Sequence, residues 1–246
     1  MSEPPYLSIV VPAYNEARRL PQTLDSLKGF GREFTRALEV LIVVERSGDG
    51  TLEIASEAAR QQQNFFAIEN GMQRGKGHAV RTGMLRARGA HVLYMDADLS
   101  VPLGEIGAFL THFAAHPEVG VLVGNRQHTR SRIVRHQSPL RESMGQSFNR
   151  LLRSLGLASL HDTQCGFKAF RREAAQAIFL RQKLDGFAFD VEVLLLAQRL
   201  GFRIADLPVE WRNSADSRVR LLRDSFAMLR DMLRVRRIVN ASLRGQ

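Results

Sequence analysis

Short apolar runs, each closing on a polar or glycine-bearing turn, alternate through the first half of the chain with stretches whose apolar positions recur every three or four residues. That alternation marks β-α-β units feeding a parallel sheet. Leu7–Val11 is rich in β-branched residues and halts at Pro12, which predicts a first strand. Glu16–Phe30 predicts a helix with Leu20, Leu24 and Leu27 on one face. Val40–Val44 predicts a second strand, followed by the turn Ser47–Gly50 and a helix to Gln62. Phe65–Glu69 reads as a third strand and Gly77–Arg88 as a helix, with Gly89 as its C-terminal stop. Val92–Met95 is a fourth strand, Glu105–His116 a helix and Gly120–Gly124 a fifth strand.

The pattern loosens afterwards. Gln127–Pro139 is polar, carries His128, Arg130, Arg132, Arg135 and His136, and reads as a mobile loop. Leu140–Leu155 predicts a helix and Asp162–Phe170 an extended segment. Phe189–Leu200 predicts a helix ended by Gly201, and Arg203–Glu210 a last strand. The expected organisation is one α/β domain over residues 1–212 and a basic helical extension over 213–246. In that extension Leu222, Phe226, Leu229 and Leu233 share a face, with Met228 and Met232 beside them, opposite Arg220, Arg223, Arg230 and Arg234. From Arg212 onward nine arginines face three aspartates. Such a helix suits an anionic membrane surface, a solvated face over the core, or a contact between two copies.

Composition narrows the classes. With 246 residues and 44% hydrophobic content, the chain can bury a sizeable core. A net charge of +10 favours phosphate-bearing or membrane partners. No stacking platform or known binding motif accompanies it, so a nucleic-acid partner is not expected. Cys165 is the single cysteine, which excludes an internal disulfide and suits a reducing compartment. Residues 1–7 lack a signal-peptide pattern, and no run approaches the roughly 18 apolar residues of a spanning helix. The expectation is a cytoplasmic chain, soluble or peripheral on a membrane.

The candidate chemistry gathers where the apolar runs end. Asp96-Ala97-Asp98 closes the fourth strand, and two carboxylates one residue apart can hold a hard divalent cation that neutralises a diphosphate. A strand ending in a polar turn gives the same pattern. Tyr14 and Glu16 follow the first strand, where an open parallel sheet places its ligands. Asn15 and Glu16 would serve equally well as helix cap and first-turn acid. Glu45 and Ser47 follow the second strand, where a carboxylate can bond a base N–H or a ribose hydroxyl. Arg74-Gly75-Lys76-Gly77 opens a helix with glycines and a lysine, a setting that favours anions, although the spacing is not that of a P-loop.

In sequence order, Val11-Pro12-Ala13-Tyr14-Asn15-Glu16, Ser47-Gly48-Asp49-Gly50-Thr51, Arg74-Gly75-Lys76-Gly77 and Asp96-Ala97-Asp98-Leu99-Ser100 resemble the inverting glycosyltransferases of family 2. Gly124-Asn125-Arg126, Asp162–Lys168 and Phe187–Glu192 resemble its branch acting on polyprenyl phosphates, nearest to the dolichyl-phosphate glucosyltransferases. The resemblance spans residues 7–212. It implies a Rossmann-like nucleotide-diphospho-sugar transferase fold (GT-A) with a mostly parallel sheet flanked by helices. It also implies transfer of a hexose, glucose from UDP-glucose, to a dolichyl- or undecaprenyl-type phosphate, with GDP-mannose as the alternative donor. It assigns Pro12, Tyr14, Glu16 and Glu45 to the nucleotide, and Asp96 and Asp98 to the diphosphate through Mg²⁺ or Mn²⁺. Two departures stand out. The family's Asp-Asp-Gly-Ser is here Val44-Glu45-Arg46-Ser47, and Ser100 stands where mannose synthases carry a glutamine.

A phosphate monoester has a second pKa of about 6, so this acceptor arrives largely as a dianion and needs its charge gathered rather than a proton removed. Arg126 suits that task, and the resemblance adds Arg141 and Ser143, although Arg141 reads equally well as a surface residue. Asp98 completes the expected catalytic set, while Lys76 and Gln164 are expected to bind substrate. Asp162 and Asp190 are further acid or base candidates, Asp190 also as the cap of the helix near Val191. Lys168 lies in the same motif with no derivable role, and His91 and His161 are read as structural. A remote alternative is a haloacid dehalogenase-like phosphatase, whose D-x-D-x-[TV] motif Asp96–Ser100 approximates.

Overall fold

The apolar runs become the strands of one seven-stranded sheet in a computed structural model that describes residues 4–126, 131, 133–135, 162–212 and 221–244. In chain order the elements are β1 (Leu7–Ala13), α1 (Leu20–Glu33), β2 (Leu38–Val44), α2 (Thr51–Gln61), β3 (Phe65–Glu69), α3 (Lys76–Arg86), β4 (His91–Met95) and α4 (Glu105–Ala115). They continue with β5 (Val119–Asn125), β6 (Ile133–Arg135), β7 (Phe167–Arg171), α5 (Arg172–Phe179), α6 (Phe189–Arg199), β8 (Arg203–Pro208), β9 (Trp211–Arg212) and α7 (Leu221–Arg244). The sheet order is β3-β2-β1-β4-β7-β5-β8. Every neighbouring pair is parallel except those of β7, which runs antiparallel to both β4 and β5. β6 and β9 form a separate parallel pair.

Both faces of the sheet are covered, so its central strands read as near-continuous apolar runs rather than alternating ones, with Ser8 and Lys168 among the buried polar exceptions. Ile9, Val11, Val40, Ile42 and Leu93 join Leu20, Leu24 and Leu27 of α1, Ala55 of α2 and Phe109 of α4 on one face. Val10, Leu41, Val43, Val92 and Tyr94 meet α3, α5, α6 and the C-terminal half of α7 on the other. The result is a three-layer α/β/α sandwich.

Several boundaries moved for physical reasons. β1 runs through Pro12 to Ala13. The Ala13 carbonyl accepts from the Glu45 N–H on the β2 side. By alternation Pro12 therefore turns its missing N–H toward β4, whose pairing with β1 has already ended at Val10. α1 starts at Leu20 rather than Glu16, because Asn15 has a positive φ of 52° and Pro21 fills the first helical turn. Gly89 is not a helix stop: Ala87 is already extended, and the Gly89 N–H donates to Ser8 Oγ at 2.7 Å. Part of the expected mobile loop, Ile133–Arg135, is a strand paired with β9. Helix α5 was not expected, although Ala174, Ala175, Ile178 and Phe179 line its buried face. The expected helix Leu140–Leu155 and His161 lie outside the described residues, while His91 packs between the rings of Tyr6 and Phe113.

α7 packs on α6 through Met232, Val235 and Val239, and leaves Leu233 68% exposed. Its buried face is thus rotated roughly a third of a turn from the Leu222–Leu233 stripe. No helix among the described residues is long and apolar enough to cross a membrane.

Gly83 brings α3 against β1, since a Cβ there would collide with Val10 Cγ1 and lie 3.0 Å from Val43 Cγ2. Alanine would gain up to about 1 kcal/mol in helix propensity, but overpacking two β-branched core residues costs about 1–3 kcal/mol. Gly83→Ala is therefore expected to lower unfolding stability in a denaturant titration, and a stabilised variant would contradict this packing.

Candidate active site

The strands lead outward from β1 to β2 and β3 on one side and to β4 on the other, so the carboxyl ends of β1 and β4 flank a switch point where such sheets bind ligands. Asp96 and Asp98 sit there on a tightly held turn. The Asp96 N–H donates to the Gly166 carbonyl at 3.1 Å, Asp98 Oδ1 accepts the Ser100 N–H at 3.0 Å, and the Thr23 hydroxyl donates to the Ala97 carbonyl at 2.6 Å. Leu99 completes the turn with a positive φ of 52°. Two cations face the carboxylates. Lys76 Nζ is 2.6 Å from Asp96 Oδ1, and an Arg19 terminal nitrogen is 3.8 Å from Asp98 Oδ2. Burial disfavours the Lys76 ammonium, but Asp96, Asp190 and Asp98 outweigh it and raise its pKa above the usual lysine value.

The residues expected on the nucleotide side divide into two groups. Pro12 and Tyr14 close β1 at the crevice, Tyr14 with 38% of its surface exposed. The others are engaged within the protein. Glu16 forks onto Arg19 at 2.6 and 2.5 Å. Ser47 donates to the Glu45 carbonyl at 2.8 Å and accepts the Asn15 N–H at 3.0 Å, tying the β2 turn to the β1 turn. Glu45 is buried, and its carboxylate accepts the N–H groups of Arg74 at 2.5 Å and Gly75 at 3.3 Å and the amide of Asn70 at 2.9 Å, with His78 Nδ1 at 2.8 Å. Glu45 thus fastens the loop before α3. The glycines of that loop serve packing as well: a Cβ on Gly75 would lie 2.6 Å from the Asp185 carbonyl oxygen, and one on Gly77 would strike the Leu184 carbonyl. The Arg74, Gly75 and His78 N–H groups are already bonded within the protein, and Lys76 is the charged group this helix start presents to the crevice.

Opposite lies the strap 162–166, anchored at both ends. Arg126 grips Asp162 through Nε at 2.7 Å, Nη2 at 2.8 Å and its own N–H at 2.9 Å, and stands 5.6 Å from the centre of the Trp211 ring. Burial works against the Asp162 carboxylate, but Arg126 prevails and holds its pKa below the usual value. At the other end fully buried Lys168 donates to the Cys165 carbonyl at 2.7 Å and pairs with Asp190, which also accepts the Tyr94 hydroxyl at 2.5 Å. Asp190 is therefore not the expected helix cap: α6 begins at Phe189 without a side-chain cap. Between the anchors, Thr163 Oγ1 and Gln164 Nε2 are buried without a hydrogen-bond partner among the described residues. Burial pushes the Cys165 thiol to about 12, so it is no nucleophile. Arg141 and Ser143 lie outside the described residues. Sequence reasoning missed Arg19, Asn70, His78 and Trp211, which belong to no recognisable spacing and arrive through turns and a strand end.

The model of the family described as "Glycosyl transferase family 2" matches residues 8–179. The chain belongs to that family. Among curated relatives it is 34% identical over 241 residues to the dolichyl-phosphate β-glucosyltransferase of Dictyostelium discoideum, covering 94% of this chain and 74% of the relative. The human protein of that name is 31% identical with the same coverage. Among solved structures, mannosyl-3-phosphoglycerate synthase from Rubrobacter xylanophilus superposes with a TM-score of 0.68 at 20% identity, covering 98% of this chain and 76% of the other. Glucosyl-3-phosphoglycerate synthase from Mycobacterium tuberculosis, solved with Mg²⁺ and UDP, gives 0.66 at 17% identity, with 94% and 78% covered. As a family 2 transferase the chain is no dehalogenase-like phosphatase.

The donor set of this family 2 member fits a hard cation. Asp96 and Asp98 offer carboxylate oxygens at the crevice, and no group of three His, Cys, Asp or Glu side chains clusters among the described residues. A pair of carboxylates completed by substrate phosphates and water is the usual way Mg²⁺ is held.

The frame around Lys76 contains one further unusual acid. Glu192 of α6 accepts the N–H groups of Lys183 at 2.8 Å and Leu184 at 2.7 Å, fixing the backbone that overlies Gly77. Burial raises its pKa to about 7. The folded chain then keeps a proton that the unfolded chain releases near the ordinary 4.5, so this group's contribution to stability falls as pH climbs from 4.5 to about 7. His91 and His112, lowered by burial, tilt the opposite way in part of that window. The difference between wild type and Glu192→Gln isolates the acid: melting curves should show the variant losing less stability than wild type across that window. Parallel pH profiles would contradict the raised value.

Proposed function

We propose that this chain transfers glucose from UDP-glucose to a polyprenyl phosphate, with inversion at the anomeric carbon and with Mg²⁺ or Mn²⁺ as cofactor. The observation that carries this is the series of relatives named dolichyl-phosphate β-glucosyltransferase, matched over 94% of this chain in Dictyostelium discoideum, Saccharomyces cerevisiae and Homo sapiens. The geometry agrees with it. Pro12 and Tyr14 border the crevice as the nucleotide side, and Asp96 and Asp98 face its centre. A divalent cation held by those two carboxylates would supply positive charge to the diphosphate leaving group. Lys76, at the same carboxylates, adds a unit charge of its own.

The acceptor side suits an anion. Asp162 is a weak base, with its pKa held down by Arg126, and Asp190 is bonded to Lys168 and Tyr94. No strong base is needed, because an attacking phosphate monoester is already deprotonated at neutral pH. Arg126, oriented by its fork on Asp162, gathers the acceptor's charge together with Arg141 and Ser143. Gln164 extends the polar lining of the strap. The described part of α7 exposes Arg230, Leu233, Arg234, Arg237 and Arg244, a face suited to lying on anionic lipid at the cytoplasmic side of the membrane where the acceptor resides.

The test is a donor panel: purified chain, Mn²⁺, a polyprenyl phosphate in anionic or neutral vesicles, and labelled UDP-glucose or GDP-mannose. The expected product is a glucosylated lipid, formed faster on anionic vesicles and abolished by EDTA. Asp98→Ala should lower kcat/KM at least about a hundredfold, since even removing supporting groups around metal ligands costs 10–100-fold. Transfer from GDP-mannose alone would overturn the donor assignment, and a rate indifferent to EDTA would overturn the metal site.

A further inference from the structure

Asp96 and Asp98 are not a bare pair of carboxylates. Lys76 Nζ lies 2.6 Å from Asp96 Oδ1, and Arg19 lies 3.8 Å from Asp98 Oδ2. Asp96 is thus already paired with an ammonium at the point where a divalent ion would bind, while Asp98 shares Arg19 with Glu16. Lys76 is held close to Asp96 by its place in the first turn of α3, whose backbone is fastened by Glu45 on one side and approached by the Leu184–Asp185 backbone on the other. The Asp96 side chain is 37% exposed and that of Lys76 19% exposed, so a ligand can reach the pair without unfolding the loop.

We propose that Lys76 is a tethered cation that competes with the metal for Asp96 and leaves it only when a nucleoside diphosphate offers other anionic oxygens, so that metal and nucleotide bind as a pair. This rests on the metal site assigned to Asp96 and Asp98 above. Coulomb's law supplies the reason. A divalent ion arriving alone meets the Lys76 ammonium 2.6 Å from Asp96 Oδ1, and like charges a few ångströms apart repel. A diphosphate brings negative charge that the ammonium can turn to over a short distance, which frees Asp96 Oδ1. Arg19 holds a similar but looser station at Asp98, because its strong contacts are the fork on Glu16. Lys76 is thus the tighter of the two gates. The consequence is positive coupling between cation and nucleotide of the size common for linked sites, roughly 5–150-fold in affinity.

The decisive experiment measures Mn²⁺ binding by electron paramagnetic resonance in wild type, Lys76→Met, Lys76→Gln and Asp98→Ala, each with and without UDP. Both lysine variants leave Asp96 partly exposed to water, and a melting curve checks that they fold. In wild type, UDP should tighten Mn²⁺ binding at least about fivefold. In both lysine variants Mn²⁺ alone should bind several-fold more tightly than in wild type, and the tightening by UDP should shrink. Mn²⁺ binding to the lysine variants that is no tighter than to wild type, with the UDP effect unchanged, would overturn the competition. Mn²⁺ binding that Asp98→Ala leaves untouched would instead overturn the metal site itself, so the two failures are distinguishable.

Discussion

β7 enters the sheet backwards. Strands β4 and β5 would otherwise stand as parallel neighbours, but β7 lies between them and pairs antiparallel to each, with Met95 opposite Phe167. That reversal starts β7 at the carboxyl end of β4, which places Gly166 directly against Asp96. Any side chain at Gly166 would collide with the Asp96 carboxylate, so the approach depends on glycine there. From this contact follow the Asp96 N–H bond to Gly166, the position of Lys168 opposite Tyr94, and the reach of Asp162 to Arg126.

Charges buried around this reversal are matched locally. Lys168 with Asp190, Arg126 with Asp162, and Glu45 with the backbone before α3 each leave little of the charge unpaired. Buried ion pairs seldom add much net stability, since desolvation offsets their attraction, but losing one partner is costly. Their service here is geometric. They lock a strap and a loop on opposite sides of the crevice, while the partly exposed carboxylates and cations between them stay available to ligands.

Much of this was legible in the amino-acid order. The alternation of apolar runs and helical periods located the strands from β1 to β5, most plainly β1, β2, β4 and β5, whose burial on both faces leaves a near-continuous apolar signature. Asp96 and Asp98 were visible because they end such a run. What could not be read was partnership across the fold. Glu45 looked like a nucleotide ligand, yet its oxygens meet Arg74, Gly75, Asn70 and His78 from a loop well over twenty residues away. Asp190 looked like a helix cap, yet it answers Lys168 of β7 from the helix packed over that strand's face. Gly75 and Gly77 looked like an anion cradle, yet the Leu184–Asp185 backbone crowds their faces. Two apolar stripes compete on α7, and burial against α6 took the one with Met232, Val235 and Val239 while Leu233 of the other stays exposed.

In the proposed reading Asp96 and Asp98 organise this family 2 transferase site around a cation shared with a sugar-nucleotide diphosphate. Crystals grown with Mn²⁺ and UDP-glucose, measured at the manganese absorption edge, test it directly. One anomalous peak is expected within bonding distance of the Asp96 and Asp98 carboxylates and of diphosphate oxygens, with Lys76 Nζ moved from Asp96 to the phosphates. Bound UDP-glucose with the manganese elsewhere, or with no manganese and the Lys76–Asp96 pair intact, would contradict it.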